Sequence, residues 1–167
     1  MKNYYYLLLC AFLLSFSSFG QITKIENNEL KLNLKSGARV EVPTTFSISK
    51  ETIAIIKESK LYKKYEISLK NNPENEDFLK ESEGIPYVDL FIYGKIVIAN
   101  LMVKYKFKNP TSYSVVPNSK GMIYFSKKKN SLTISFSAQA QNGYGNQIMS
   151  DIYYLINLDT GTTLFLQ

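Results

Sequence analysis

The sequence predicts an all-β fold, a single antiparallel β-sandwich or a closed β-barrel. Two observations predict it. Apolar and polar residues alternate with a period of two in several separate segments, and this pattern is typical of strands with one buried and one solvated face. In addition, turn residues separate short apolar runs at close intervals, as sandwiches and barrels require.

The chain begins with the layout of a secretory signal peptide. Lys2 precedes an apolar run over Leu7–Leu14, and small residues at Ser18 and Gly20 precede a predicted cleavage between Gly20 and Gln21. The apolar run is too short for a transmembrane anchor, which needs about 20 residues. Cys10 does not suit a lipidation site, because apolar residues continue past it. We therefore expect residues 1–20 to be removed and residues 21–167 to form a single all-β domain.

Alternation supports three strands most strongly, around Leu30–Leu34, Leu101–Phe107 and Leu132–Ala140. Turn residues lie between the apolar runs, for example at Asn109-Pro110 and Asp159–Gly161. Further segments rich in β-branched and aromatic residues are also predicted as strands. They are Arg39–Val42, Thr45–Ile48, Thr52–Ile56, Leu61–Leu69, Val88–Tyr93, Lys95–Ala99, Met122–Phe125, Ile148–Leu158 and Thr162–Leu166.

Two segments are open to helix. Lys50–Lys64 has apolar residues near helical spacing, but the β-branched stretch Thr52–Ile56 favours a strand there. Asn72–Glu83 is the better helix, because proline and carboxylates are good first-turn residues. The prediction is at most one short helix, near residues 73–82.

The residue inventory excludes several catalytic chemistries. The chain has no histidine, and its single cysteine, Cys10, lies in the predicted signal segment. Histidine-based triads, Cys-His dyads and His/Cys zinc sites are therefore absent. The pattern S-x-x-K occurs at Ser47–Lys50 and again at Ser126–Lys129, but the companion motifs of serine acyl-transferases are missing. We predict that the protein is not an enzyme and that it has no catalytic residues, cofactor or metal.

Two groups of residues are candidates for binding a ligand or partner. Asn142, Tyr144 and Asn146 belong to a glycine-rich stretch between two strand patterns, where an aromatic residue on a loop can contact a partner. Its structural alternative is a hairpin turn. The second group is Lys104, Lys106 and Lys108, which alternation places on one face of a strand.

The adjacent tyrosines at positions 153 and 154 must point to opposite sides of a strand. One is then in the core and the other exposed, or both are buried between two layers.

In its signal segment and strand rhythm, the chain is similar to small exported β-proteins of Gram-negative bacteria, some lipocalin-like and some immunoglobulin-like. This resemblance implies a fold type only. The expected function is a non-catalytic ligand- or partner-binding module, periplasmic or secreted. The alternatives are a carboxylate-dependent hydrolase acting on carbohydrate or envelope material, and an inhibitor or assembly subunit.

The expected partners are an envelope protein, an anionic envelope polymer or a small lipophilic ligand. Formal charge is +6, and loss of Lys2 lowers it by one. This positive charge would suit nucleic acid, but export makes nucleic acid an unexpected partner. No transmembrane anchor is expected in the mature chain.

Overall fold

A computed structural model describes residues 21–22, 25–33, 43–106, 109–116 and 118–166. The fold is mixed α/β, with α-helices packed against an open sheet that contains both parallel and antiparallel pairs. The predicted all-β sandwich or barrel is therefore wrong. The predicted signal segment and the predicted strand at Arg39–Val42 lie outside the described residues.

The sheet has the strand order β1-β2-β3-β5-β6-β7-β8, and β4 pairs beside β5 on the same edge of β6. All pairs are antiparallel except β3 with β5, which run parallel. The strands are β1 (Gln21–Ile22), β2 (Glu29–Asn33), β3 (Thr45–Ile48), β4 (Ser114–Val115), β5 (Gly121–Ser126), β6 (Ser131–Gln141), β7 (Gln147–Asn157) and β8 (Thr163–Leu166).

The parallel pair explains why helices must be present. Two parallel neighbours need a long crossover connection, usually a helix, because the chain has to return to the end where it started. Here the connection between β3 and β5 contains every described α-helix. They are α1 (Lys50–Glu58), α2 (Lys60–Asn71), α3 (Glu76–Glu81) and α4 (Tyr87–Lys106).

Ser59 separates α1 from α2 and serves both helices. Its hydroxyl accepts a hydrogen bond from the Tyr62 amide at 3.2 Å and donates one to the Ile56 carbonyl at 2.7 Å. At the start of α1, the Ser49 hydroxyl accepts from the Thr52 amide at 3.2 Å. Serine caps of this kind satisfy amides that a helix end leaves without a partner. The strands predicted at Thr52–Ile56 and Leu61–Leu69 are wrong, because these caps and helical spacing outweigh β-branching.

The predicted short helix near residues 73–82 is present as a 3-10 turn at Pro73–Asn75 followed by α3. It is not the only one. The predicted strands at Val88–Tyr93, Lys95–Ala99 and Leu101–Phe107 are replaced by α4, as far as Lys106. Pro86 precedes α4, and its carbonyl accepts hydrogen bonds from the amides of Asp89 and Leu90.

Helix α4 is largely buried from Val88 to Asn100, and apolar residues lie on nearly all sides of that part of the helix. A mostly apolar segment of that length indicates a buried helix better than two successive strands. Among the helices described, none combines the length and hydropathy needed to cross a bilayer.

The core lies between the helices and one face of the sheet. The large buried side chains of β3, β5 and β6 share one parity, as alternation predicts. Burial is not confined to that parity, because Thr133, Ser135 and Leu155 of the other parity are also buried. Phe46, Ile123, Ile134, Tyr154 and Ile156 belong to this face, which we call the core face. The opposite face of the sheet has no described helix over it.

Candidate functional site

The opposite face of the sheet carries large apolar side chains, of which all but Leu155 are exposed to solvent: Met122, Tyr124, Tyr153, Leu164 and Leu166 are 37–56% exposed, and Leu155 is 4% exposed. The cross-strand register aligns them in two adjacent rows. One row runs Met122, Ser135, Tyr153, Leu166, and the other runs Tyr124, Thr133, Leu155, Leu164. We call these eight residues the open face.

The open face has a polar line through its centre. Thr133 and Ser135 on β6 are 2% and 6% exposed, whereas Met122 on β5 and Leu164 on β8 are more than half exposed. Strands are about 4.8 Å apart, so the side chains of β5 and β7 stand about 10 Å from each other on either side of the β6 hydroxyls. The result is a shallow furrow with a hydroxyl floor and apolar walls.

The size of the apolar region is that of a contact surface. Two rows across four strands cover on the order of 300 Å² in projection, from the strand and residue spacings. Contiguous apolar patches of a few hundred Å² on a soluble domain are often binding sites, whereas scattered apolar residues need no explanation. On the open face the register places the apolar residues of β7 and β8 side by side, and those of β5 lie across the β6 hydroxyls from them.

Charges lie at the ends of the open face and are paired. Glu29 stands beyond Met122 in the same row, and its carboxylate bonds the Lys120 ammonium at 2.9 Å. That hydrogen bond holds the pKa of Glu29 below its usual value. On β7, Asp151 accepts a hydrogen bond from the Ser137 hydroxyl at 2.8 Å. The centre of the open face is therefore uncharged.

The glycine-rich stretch is the β6–β7 hairpin turn. The Asn142 side-chain oxygen accepts hydrogen bonds from the amides of Tyr144 and Asn146, both at 2.9 Å. Gly145 has φ +81°, which side chains rarely adopt. Tyr144 is 91% exposed. Asn142 is thus occupied in shaping the turn, and Tyr144 is the member of this group that is free to contact a partner.

The predicted lysine face is wrong as geometry. Lys104 and Lys106 lie in helix α4 and not in a strand. Positions two apart on a helix are separated by about 200° around its axis, so the alternation that predicted a common strand face does not apply in α4. Lys108 lies outside the described residues.

Tyr153 and Tyr154 do point to opposite sides. Tyr154 is 1% exposed in the core, and Tyr153 is 38% exposed on the open face. The first of the two alternatives given by the sequence is confirmed. The same reasoning could have predicted part of the open face from the sequence. Like Tyr153, Met122 and Tyr124 are large apolar residues at the alternating strand positions that face away from the core.

A second feature is a cluster of aromatic rings around a lysine. The Phe91 ring contacts Tyr62 and Tyr65 edge to face, with centroids at 5.6 and 5.3 Å. The Lys95 ammonium lies 5.2 Å from the centre of the Phe91 ring. Burial lowers the pKa of Lys95 to about 8 and raises that of Tyr93 to about 12. The cluster joins α2 to α4. Burial of the Lys95 ammonium within it destabilises the folded state.

One groove brings two carboxylates near each other. It has a volume of about 370 Å³ and is lined by Ile55, Phe125 and Leu158, with Glu58 and Asp159 among its other residues. Glu58 forms an ion pair with Lys63 at 3.0 Å, and its side chain is 83% exposed. A general acid in glycoside hydrolysis needs a buried site that favours its protonated form. Glu58 is exposed and ion-paired, so its environment does not favour the protonated form that a general acid needs.

The described residues contain no group of three or more histidine, cysteine, aspartate or glutamate side chains that could hold a metal ion. The chain matches no protein-family model, no curated protein and no solved structure.

Proposed function

We propose that the protein is a non-catalytic binding module that recognises a protein partner through the open face. The observation that carries this proposal is the pair of aligned apolar rows on a sheet face that no described element covers. A sheet that only needs a core on one side would carry polar residues on the other. Here methionine, tyrosine and leucine stand in those positions.

The chemistry of the open face favours a protein over the other expected partners. Tyrosine and methionine are enriched in the centres of protein interfaces, and charged residues are depleted there. An anionic polymer would need a basic surface, and none of the eight residues of the open face is a lysine or arginine. A small lipophilic ligand was expected in a barrel lumen, and the sheet is open.

Export is part of the proposal and rests on the sequence alone. The layout of residues 1–20 directs the chain out of the cytoplasm, and cleavage before Gln21 would begin the mature protein at β1. The partner is then a protein of the envelope or of the outside. An assembly subunit or inhibitor would use the same surface.

The test is co-purification from the native host with a matched pair of variants. Met122→Lys places a charge on the β5 side of the open face, and Ile67→Lys places one at an exposed apolar position on α2. We expect a specific protein to be lost with Met122→Lys and kept with Ile67→Lys, while both variants unfold at the wild-type temperature. If both variants recover the same amount of that protein, the open face is not its binding surface.

The hydrolase alternative has its own test. Purified protein is assayed on envelope polysaccharide, alone and with Glu58→Gln or Asp159→Asn. Turnover that one of these substitutions abolishes would overturn the non-catalytic proposal in favour of the groove between α1 and the β7–β8 turn.

A further inference from the structure

The β8 edge of the sheet lacks the usual protection of an edge strand. An edge strand presents unpaired backbone donors and acceptors, and natural sheets guard it with charges, proline, bulges or very short length. Strand β8 has four residues, Thr-Leu-Phe-Leu, without a charge or a proline, and no described strand pairs with its outer edge.

The hydrogen-bond pattern shows which backbone groups of β8 face outward. The Asn157 amide donates to the Thr162 carbonyl at 2.9 Å. In an antiparallel pair, hydrogen-bonded positions alternate with non-bonded ones. The amide and carbonyl of Leu164 therefore face β7, and those of Thr163 and Phe165 face outward.

This arrangement is self-complementary. When two copies of β8 pair antiparallel with Thr163 opposite Phe165 of the other copy, each of these two pairs exchanges both of its N–H···O bonds. The two-fold axis then passes between the two Leu164 residues. Their side chains meet on the open face, where Leu164 is 56% exposed.

We propose that this chain forms a symmetric dimer by pairing β8 with β8 of a second copy, in that register. The sequence of β8 suits a second copy because the contact contains no charge, whereas the whole chain is positively charged. The pairing joins two sheets into one and continues the open-face rows from one copy into the other. It involves the backbone edge, so it stands independently of the proposed protein partner.

The size of the contact sets the strength of the dimer. Three β8 residues pair on each side, against about 20–30 residues a side in a standard interface. We therefore expect weak self-association, with Kd between about 10 μM and 1 mM. Added salt should strengthen it, because salt screens the repulsion between two positively charged copies.

Single cysteines test the register. In a chain carrying Cys10→Ser, Leu164→Cys places two sulfur atoms at a non-bonded antiparallel pair, where Cα atoms are about 4.5 Å apart and a disulfide can form. Leu166→Cys is the matched control. The two Leu166 residues would be about 13 Å apart, which is too far for a disulfide. We expect rapid oxidative cross-linking of the first variant only. Equal cross-linking of both, or none with Leu164→Cys, overturns the proposed pairing.

A proline at the outward-facing amide tests the hydrogen bonds. Proline is tolerated at an edge position whose N–H faces solvent. Thr163→Pro should keep the fold and abolish dimerisation. Thr163→Val is the matched control, because it also loses the side-chain hydrogen bond to Tyr154 but keeps both the amide and a β-branched side chain. Sedimentation equilibrium up to millimolar concentration should show dimer for wild type and Thr163→Val, and monomer for folded Thr163→Pro. A wild-type monomer throughout that range, or a dimer with Thr163→Pro, contradicts the proposal.

Discussion

Replacing Lys95 by methionine should stabilise the fold. Its ammonium lies over the Phe91 ring, and burial lowers the pKa of Lys95 to about 8. A lowered pKa means that the folded state disfavours the charged form. Methionine fills a similar volume without a charge, and its helix propensity is close to that of lysine.

The magnitude follows from the two pKa values. An unfolded lysine titrates near 10.4, and a tenfold change in proton affinity corresponds to about 1.4 kcal/mol, so the cost of charged Lys95 at pH 7 is about 3 kcal/mol. The cation–π contact with Phe91 offsets up to about 1 kcal/mol of it. We expect Lys95→Met to raise the free energy of unfolding by about 2 kcal/mol at pH 7.

The gain should fall as pH rises. Between pH 8 and about 10.4 the unfolded state binds more protons at Lys95 than the folded state, so wild-type stability increases with pH. By pH 9 wild type recovers about 1.4 kcal/mol, and the advantage of the variant shrinks by that amount. Burial raises the pKa of Tyr62, Tyr93 and Tyr154, but these groups are common to both proteins and cancel in the comparison.

Urea denaturation at pH 7 and pH 9 measures both effects. Lys57→Met is the control, because Lys57 is exposed at the end of α1 and its replacement should change little at either pH. An advantage of Lys95→Met that stays constant between the two pH values would refute the assignment of the cost to charge burial. A loss of stability at pH 7 would refute the sign.

Three further outcomes are expected in urea denaturation. Gly121→Ala should lower the free energy of unfolding by about 1–3 kcal/mol, because the added methyl overlaps the Phe46 ring. Combining it with Phe46→Leu should recover part of that loss. If the two losses simply add, the two residues are not in contact. Ser59→Ala should cost about 1–2 kcal/mol, since it removes the cap of α2, and no loss would contradict the shared cap. Tyr144→Ala should change stability by less than about 0.5 kcal/mol, and a larger loss would show that the exposed ring packs in the fold.

The strands of the C-terminal half could be predicted because they are half buried. In β6, residues of one parity pack on the helices, so alternation in the sequence follows from the structure. The same reasoning failed for α4, which is surrounded by core on nearly all sides and carries no clear period. The mostly apolar segment from Val88 to Leu101 is longer than a usual strand, and that length indicates a helix.

The binding surface was out of reach for a different reason. Sequence identifies which residues alternate but not which strands are neighbours, and the open face depends on the order β5-β6-β7-β8. The parallel pair of β3 with β5 is set by long-range packing, such as that of Phe46 against Phe136, with ring centroids at 6.4 Å. The turn at residues 142–146 could be predicted, because asparagine and glycine determine it locally.

Site-specific photo-cross-linking in the native host tests the central claim, that the open face binds a protein. A photoreactive residue replaces Tyr153, in the middle of the open face, or Ile67, which is 61% exposed on the helical side. We predict a discrete cross-linked product from position 153 and none from position 67. The same products from both positions, or a product from position 67 alone, would contradict the claim.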